Sequence, residues 1–114
     1  MVVLIDDDHG FRSALAENLR DDGHRVHEYA APAQLPALQT LSGVRLLITD
    51  YEIPRSNGLA FADAFHRVHP TVPIVLMSAF PTRYLVAQSA VRDFLYLLAK
   101  PFDYAQLREI LVKL

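Results

Sequence analysis

Leu46-Leu47-Ile48-Thr49-Asp50-Tyr51-Glu52-Ile53-Pro54-Arg55-Ser56-Asn57-Gly58 is the stretch whose reading decides the fold. An apolar, partly β-branched run ends in a carboxylate and then in turn residues, so it reads as a buried strand that delivers its last side chain into a loop. Pro54 and Asn57-Gly58 then carry the chain towards a helix. An acid at such a strand end faces the ligand crevice of an open α/β sheet. Taken alone, Asp50 reads more readily as the cap of a turn or helix.

Asp50 is not alone. Val2-Val3-Leu4-Ile5 runs into Asp6-Asp7-Asp8, Ile74-Val75-Leu76-Met77 into Ser78, and Leu95-Tyr96-Leu97-Leu98-Ala99 into Lys100-Pro101. If these runs are parallel neighbours, acid, acid, hydroxyl and ammonium gather on one edge of one sheet. Helical periodicity fills the gaps. Phe11, Ala14, Leu15 and Leu19 mark a first helix (about 11–22), which Asp8 caps and Gly23 closes. A short second strand follows over about 25–29, and Leu35, Leu38 and Leu41 mark a short second helix over 33–41, confined by Pro32 and Pro36. Leu59 to Val68 is the third helix. Pro81 to Arg92 is the fourth, apolar nearly all round, and Tyr104 to Leu114 the fifth. Strands alternating with helices argue for a parallel, doubly wound sheet.

A chain of 114 residues with 52% hydrophobic content makes one globular domain, 1–114, with a real core. The net charge of −2, with scattered Lys and Arg, gives no footprint for direct nucleic-acid binding. No run reaches transmembrane or signal-peptide length, so no membrane role is expected and the cytoplasm is the default location. There is no cysteine, which excludes disulfides and thiolate metal sites. Carboxylates crowded on neighbouring strand ends repel unless a cation sits between them. Oxygen-only ligation favours Mg²⁺ or Mn²⁺ over zinc.

In order and spacing, Asp6-Asp7, Asp50, the Pro54 and Gly58 loop, Ser78-Ala79 and Lys100-Pro101-Phe102 resemble the receiver domain of bacterial two-component response regulators. The resemblance covers essentially the whole chain. It implies a flavodoxin-like (βα)5 fold with a five-stranded parallel sheet in the order 2-1-3-4-5, helices on both faces. It further implies that Asp50 is the phosphoacceptor, charged by a sensor histidine kinase or phosphotransfer protein. Asp7 and Asp50 would bind the metal directly, Asp6 through water, and the Glu52 backbone carbonyl would complete the set. Lys100 would pair with the phosphoryl group and Ser78 would follow it, switching the face of the fourth helix, fifth strand and fifth helix. That face would control an output domain or partner, or form a homodimer. Lys100-Pro101 is expected to be cis. Beyond its own phosphorylation and dephosphorylation, no enzyme activity is expected.

Two departures stand out. The switch aromatic that receivers place three residues before the lysine is Leu97 here, with Tyr96 one place earlier, and Asp93-Phe94 replaces the usual turn before the fifth strand. They sustain an alternative, a degenerate receiver acting as a phosphorylation-independent interaction or dimerisation module. A small-molecule phosphatase is disfavoured because no cap insertion is present. The acids do not match an EF-hand loop, no Gly-x-Ser-x-Gly elbow surrounds Ser78, His24 and His27 point to opposite faces of a strand, and His66 and His69 read as a solvated pair.

Overall fold

Val2–Ile5 forms β1, and all four residues are buried, as a strand covered on both faces of a parallel sheet requires. His9–Asp21 forms α1, Val26–Tyr29 β2, Leu46–Asp50 β3, Gly58–Val68 α2, Ile74–Ser78 β4, Arg83–Ala90 α3, Leu95–Ala99 β5 and Tyr104–Leu111 α4. The computed structural model describes residues 1–114. The five strands are all parallel, in the order β2-β1-β3-β4-β5. No helix is long and apolar enough to cross a membrane.

The sheet divides the core. Leu15, Ala16 and Leu19 of α1 and Leu107 of α4 cover one face, while Leu59, Ala62 and Phe65 of α2 and Leu85 of α3 cover the other. Asp8 caps α1 by accepting the Phe11 N–H at 3.1 Å, and Gly23 follows the helix at φ +91°, the left-handed conformation expected of it.

The expected second helix is absent, so the (βα)5 expectation is corrected to four α-helices. Residues 33–41 instead make two short 3₁₀ turns, Pro32–Gln34 and Leu38–Thr40. Pro36 is the reason: it lacks an N–H, its ring would strike the carbonyl four residues back, and it drives the preceding residue out of helical space. Leu35 is accordingly extended, at φ −70° and ψ 148°. Leu35, Leu38 and Leu41 still reach the core, so the hydrophobic pattern survives without the helix.

The α3–β5 junction is closed by specific contacts. Arg92 grips Asp63 of α2 through two bonds of 2.8 Å, and the Phe94 ring stacks on His66 at 3.7 Å and 8°. His69 Nε2 meets the Leu38 carbonyl at 2.7 Å and its ring stacks on Phe65. The two histidines are therefore structural contacts and not a solvated pair, a correction that follows from packing across elements. The Arg92 guanidinium holds the Asp63 carboxyl below its usual range. A depressed acid contributes stability that is present above its unfolded pKa and lost as the pH falls through the folded one. Asp63→Asn should therefore cost about 1 kcal/mol at pH 7, reduced by solvent screening of a partly exposed pair, and less at pH 2. Urea titrations at both pH values measure the difference.

Candidate functional site

Parallel strands bring the ends of β1, β3, β4 and β5 to one edge. The register aligns Ile5 with Thr49, Asp50 with Met77, and Ser78 with Ala99. Asp6, Asp50 and Ser78 are buried there, and Lys100 follows at the end of β5. Each of Asp6, Asp7 and Asp50 offers an oxygen lying within 4.8 Å of the others.

The ammonium of Lys100 is 2.6 Å from Asp6 Oδ2 and 3.4 Å from Asp50 Oδ2. The other Asp6 oxygen accepts the Asp8 N–H at 3.0 Å. Both oxygens of Asp6 are thus engaged. Asp50 differs, because its Oδ1 is buried with no hydrogen-bond partner, and an orphaned buried oxygen is costly unless something cationic or protic meets it. Asp7 is exposed beside it, and Glu52 lines the same depression with Tyr51, Ile53 and Asn57. The donor set is all oxygen and the acids outnumber the one ammonium, so these residues fit a hard divalent cation.

Burial pushes the Asp50 carboxyl up to about 7, with the facing Glu52 carboxyl and the Asp6 charge adding to it and Lys100 opposing it. Burial pulls the Lys100 ammonium down, but the bond and charge of Asp6, joined by Asp50, outweigh it and leave its pKa raised. For Asp50 the sign is unusual: the folded protein holds a proton that the unfolded chain has released by about pH 4. Metal-free protein should therefore lose stability as the pH rises from about 4 to about 7. Asp50→Asn removes that slope and should add on the order of 2 kcal/mol at pH 8. Thermal melts across this range with chelator check it.

Local structure fixes each group. Asn57 caps α2 by accepting the Ala60 N–H at 2.9 Å, and the Gly58 N–H bonds the Tyr51 carbonyl at 2.7 Å. Gly58 is indispensable to this approach, since a Cβ there would lie 2.2 Å from the Asp50 carbonyl oxygen. Ser78 Oγ accepts the Phe80 N–H at 3.1 Å, and its carbonyl accepts the Lys100 N–H at 2.8 Å, tying β4 to the lysine. The Lys100–Pro101 peptide is cis. Leu97 lies on the α2/α3 face of β5, and Tyr96 packs on the opposite, α1/α4 face. Tyr96 therefore cannot reach the side of the sheet where Leu97 stands.

Two site residues are missed by sequence reasoning. Arg12 donates to the Asp6 carbonyl at 2.8 Å and pairs with Glu28 at 3.2 Å, bracing the turn that carries the acids. Phe11 places its ring 4.4 Å from the Lys100 ammonium. Helical spacing marks Phe11 as a core residue and Arg12 as a surface one; their nearness to the acid pair was the available signal.

Comparison with known proteins agrees with this geometry. The family model "Response regulator receiver domain" matches residues 2–112. The DNA-binding transcriptional regulator NtrC of Azospirillum brasilense is 30% identical over 93% of this chain and 22% of its own length. The sporulation initiation phosphotransferase F of Bacillus subtilis is 23% identical over 98% of this chain and 90% of its own. The transcriptional regulatory protein PdtaR of Mycobacterium tuberculosis is 32% identical over 93% and 52%. The chain thus spans from a fifth to nearly all of these relatives' lengths. Among solved structures, the chemotaxis response regulator CheY4 of Vibrio cholerae superposes with a TM-score of 0.84 at 21% identity, covering 98% of this chain and 95% of that one.

Proposed function

This chain belongs to the response regulator receiver domains of two-component systems, and from that premise we propose that it accepts a phosphoryl group on Asp50 and uses it to switch a binding face. The observation that carries the reading is the Asp50 carboxylate, buried, with one oxygen facing Lys100 at 3.4 Å and the other unpartnered. Asp7, Asp50 and the Glu52 carbonyl would hold Mg²⁺ (or Mn²⁺), with Asp6, whose oxygens are engaged, acting through water. When bound, the ion supplies positive charge against the phosphoryl oxygens.

The chain's own residues do the rest. An oxygen of Asp50 forms the bond to phosphorus as the bond from phosphorus to the donor, a histidine nitrogen of a kinase or phosphotransfer protein, breaks and that nitrogen keeps the electron pair. The Lys100 ammonium pairs with a phosphoryl oxygen. Attack of water on phosphorus later breaks the bond to Asp50, releasing phosphate and restoring the carboxylate.

Ser78 supplies the readout. Its hydroxyl now accepts the Phe80 N–H; turning to donate to a phosphoryl oxygen frees that N–H and biases the β4–α3 loop. Phe80, Tyr84 and Val91, at 78%, 64% and 77% exposure, stand on and around the segment that would move. A partner, an output domain or a second copy of the chain would dock against α3, β5 and α4.

Incubation with acetyl phosphate and Mg²⁺ tests the proposal. Intact mass should rise by one phosphoryl group in wild type and not in Asp50→Asn. One observation favours a second reading: the switch aromatic is absent at Leu97 and Tyr96 is turned to the other face. A protein that takes no phosphoryl group yet binds its partner would be the interaction module.

A further inference from the structure

The Lys100 ammonium has a neighbour besides the two acids. Its Nζ stands over the ring of Phe11, 4.4 Å from the centroid, within reach of a cation–π contact. Two restraints hold that ring. The Asp8 cap on the Phe11 N–H fixes the first turn of α1, and the ring meets Phe102 edge to face at 5.7 Å and 87°. Phe102 follows Lys100-Pro101 directly, so one corner of the chain supplies both the cation and the brace of the ring that faces it. The ammonium lies between carboxylates and an aromatic face, and its side chain is only 17% exposed.

We propose that Phe11 is a positioning residue for Lys100, holding the ammonium at the acids when their charge is shared with an incoming phosphoryl group. This rests on the reading of Asp50 as the phosphoacceptor. At rest the ammonium is held chiefly by Asp6, at 2.6 Å. To pair with a phosphoryl oxygen it must loosen that bond, and the pull of both acids weakens as their charge is shared. The field of an aromatic face does not weaken in the same way. Nor does the ring compete as a hydrogen-bond acceptor, so the ammonium pivots while keeping a fixed contact. An aliphatic side chain of similar bulk fills the space but leaves that side of the cation without a favourable partner. The flexible four-carbon stem of lysine is then free to swing towards water.

The test replaces Phe11 with mono-, di- and trifluorophenylalanine, which keep its shape while draining the ring face of negative potential, and adds Phe11→Leu and Phe11→Trp. Two quantities are read: the initial rate of phosphoryl uptake from acetyl phosphate at saturating Mg²⁺, and the upfield ring-current shift of the Lys100 ε-methylene protons in the unphosphorylated protein. The logarithm of the rate should fall in even steps along the fluorinated series, reaching about 3- to 10-fold below wild type. Phe11→Leu should share the lowest rate and lose the ring-current shift, and Phe11→Trp should recover the rate. Melting temperatures should stay level across the fluorinated series. A labelled wild type with a flat series, or rates that follow melting temperature alone, overturns the role of Phe11 and leaves Asp50 standing. A wild type that takes no label overturns both.

Discussion

Gly58→Ala should destabilise the protein by about 3 kcal/mol, although the residue opens a helix and alanine is the better helix former. Propensity alone gives the opposite sign, a gain of roughly 1 kcal/mol. Contact decides the matter. The new Cβ would sit 2.2 Å from the Asp50 carbonyl oxygen and 2.8 Å from Tyr51 Cα, both backbone atoms that cannot rotate aside, and 2.8 Å from Leu76 Cδ1. To make room, α2 must lift from the end of β3, stretching the bond between the Gly58 N–H and the Tyr51 carbonyl. Because the atom struck first belongs to Asp50, phosphoryl uptake should fall along with stability. Gly10→Ala is the matched control: its Cβ meets nothing closer than Asp8 Oδ1 at 3.6 Å, so it should be neutral or slightly stabilising. Thermal melts of the pair should separate by roughly 10–15 °C.

Lys100→Met should cost about 3 kcal/mol at pH 8 in the metal-free protein, because it keeps most of the stem's bulk and removes the charge. Asp6 is fully buried and loses its ion pair, while the nearby Asp50 loses its only cationic neighbour. The cost has a pH signature. Without the ammonium, which opposes the upward push on Asp50, that carboxyl binds its proton more tightly in the folded state, so the deficit grows as the pH rises. Asp6→Asn in the same chain should restore much of the loss, since the uncompensated buried charge disappears with it. Mg²⁺ should restore part of it by mass action, with a concentration-dependent melting temperature. A variant as stable as wild type across that pH range would show that the ion pair at this edge contributes nothing.

The strand ends were legible because each is a short apolar run stopped by one polar residue, a pattern set by local chain chemistry. Parallel order then brings Asp6, Asp50, Ser78 and Lys100 to one edge without further information. The second helix was misread because leucines spaced three apart suit two 3₁₀ turns as well as a helical turn, and Pro36 settles the choice. Contacts made across distant elements were not legible. Phe94 stacks on His66, Phe11 lies over Lys100, and Tyr96 turns away from the face that Leu97 occupies. Periodicity assigns a residue to a side of its own element, whereas these facts depend on which element lies opposite.

Reductive trapping is the most direct check on the central claim, that one buried carboxylate among these strand ends carries the phosphoryl group. After incubation with acetyl phosphate and Mg²⁺, borohydride converts an aspartyl phosphate to homoserine, and peptide sequencing by mass spectrometry locates it. Homoserine should appear at residue 50 alone and be absent when magnesium is chelated. Homoserine at residue 6 or 7, or none at residue 50 in folded protein with magnesium present, would contradict it.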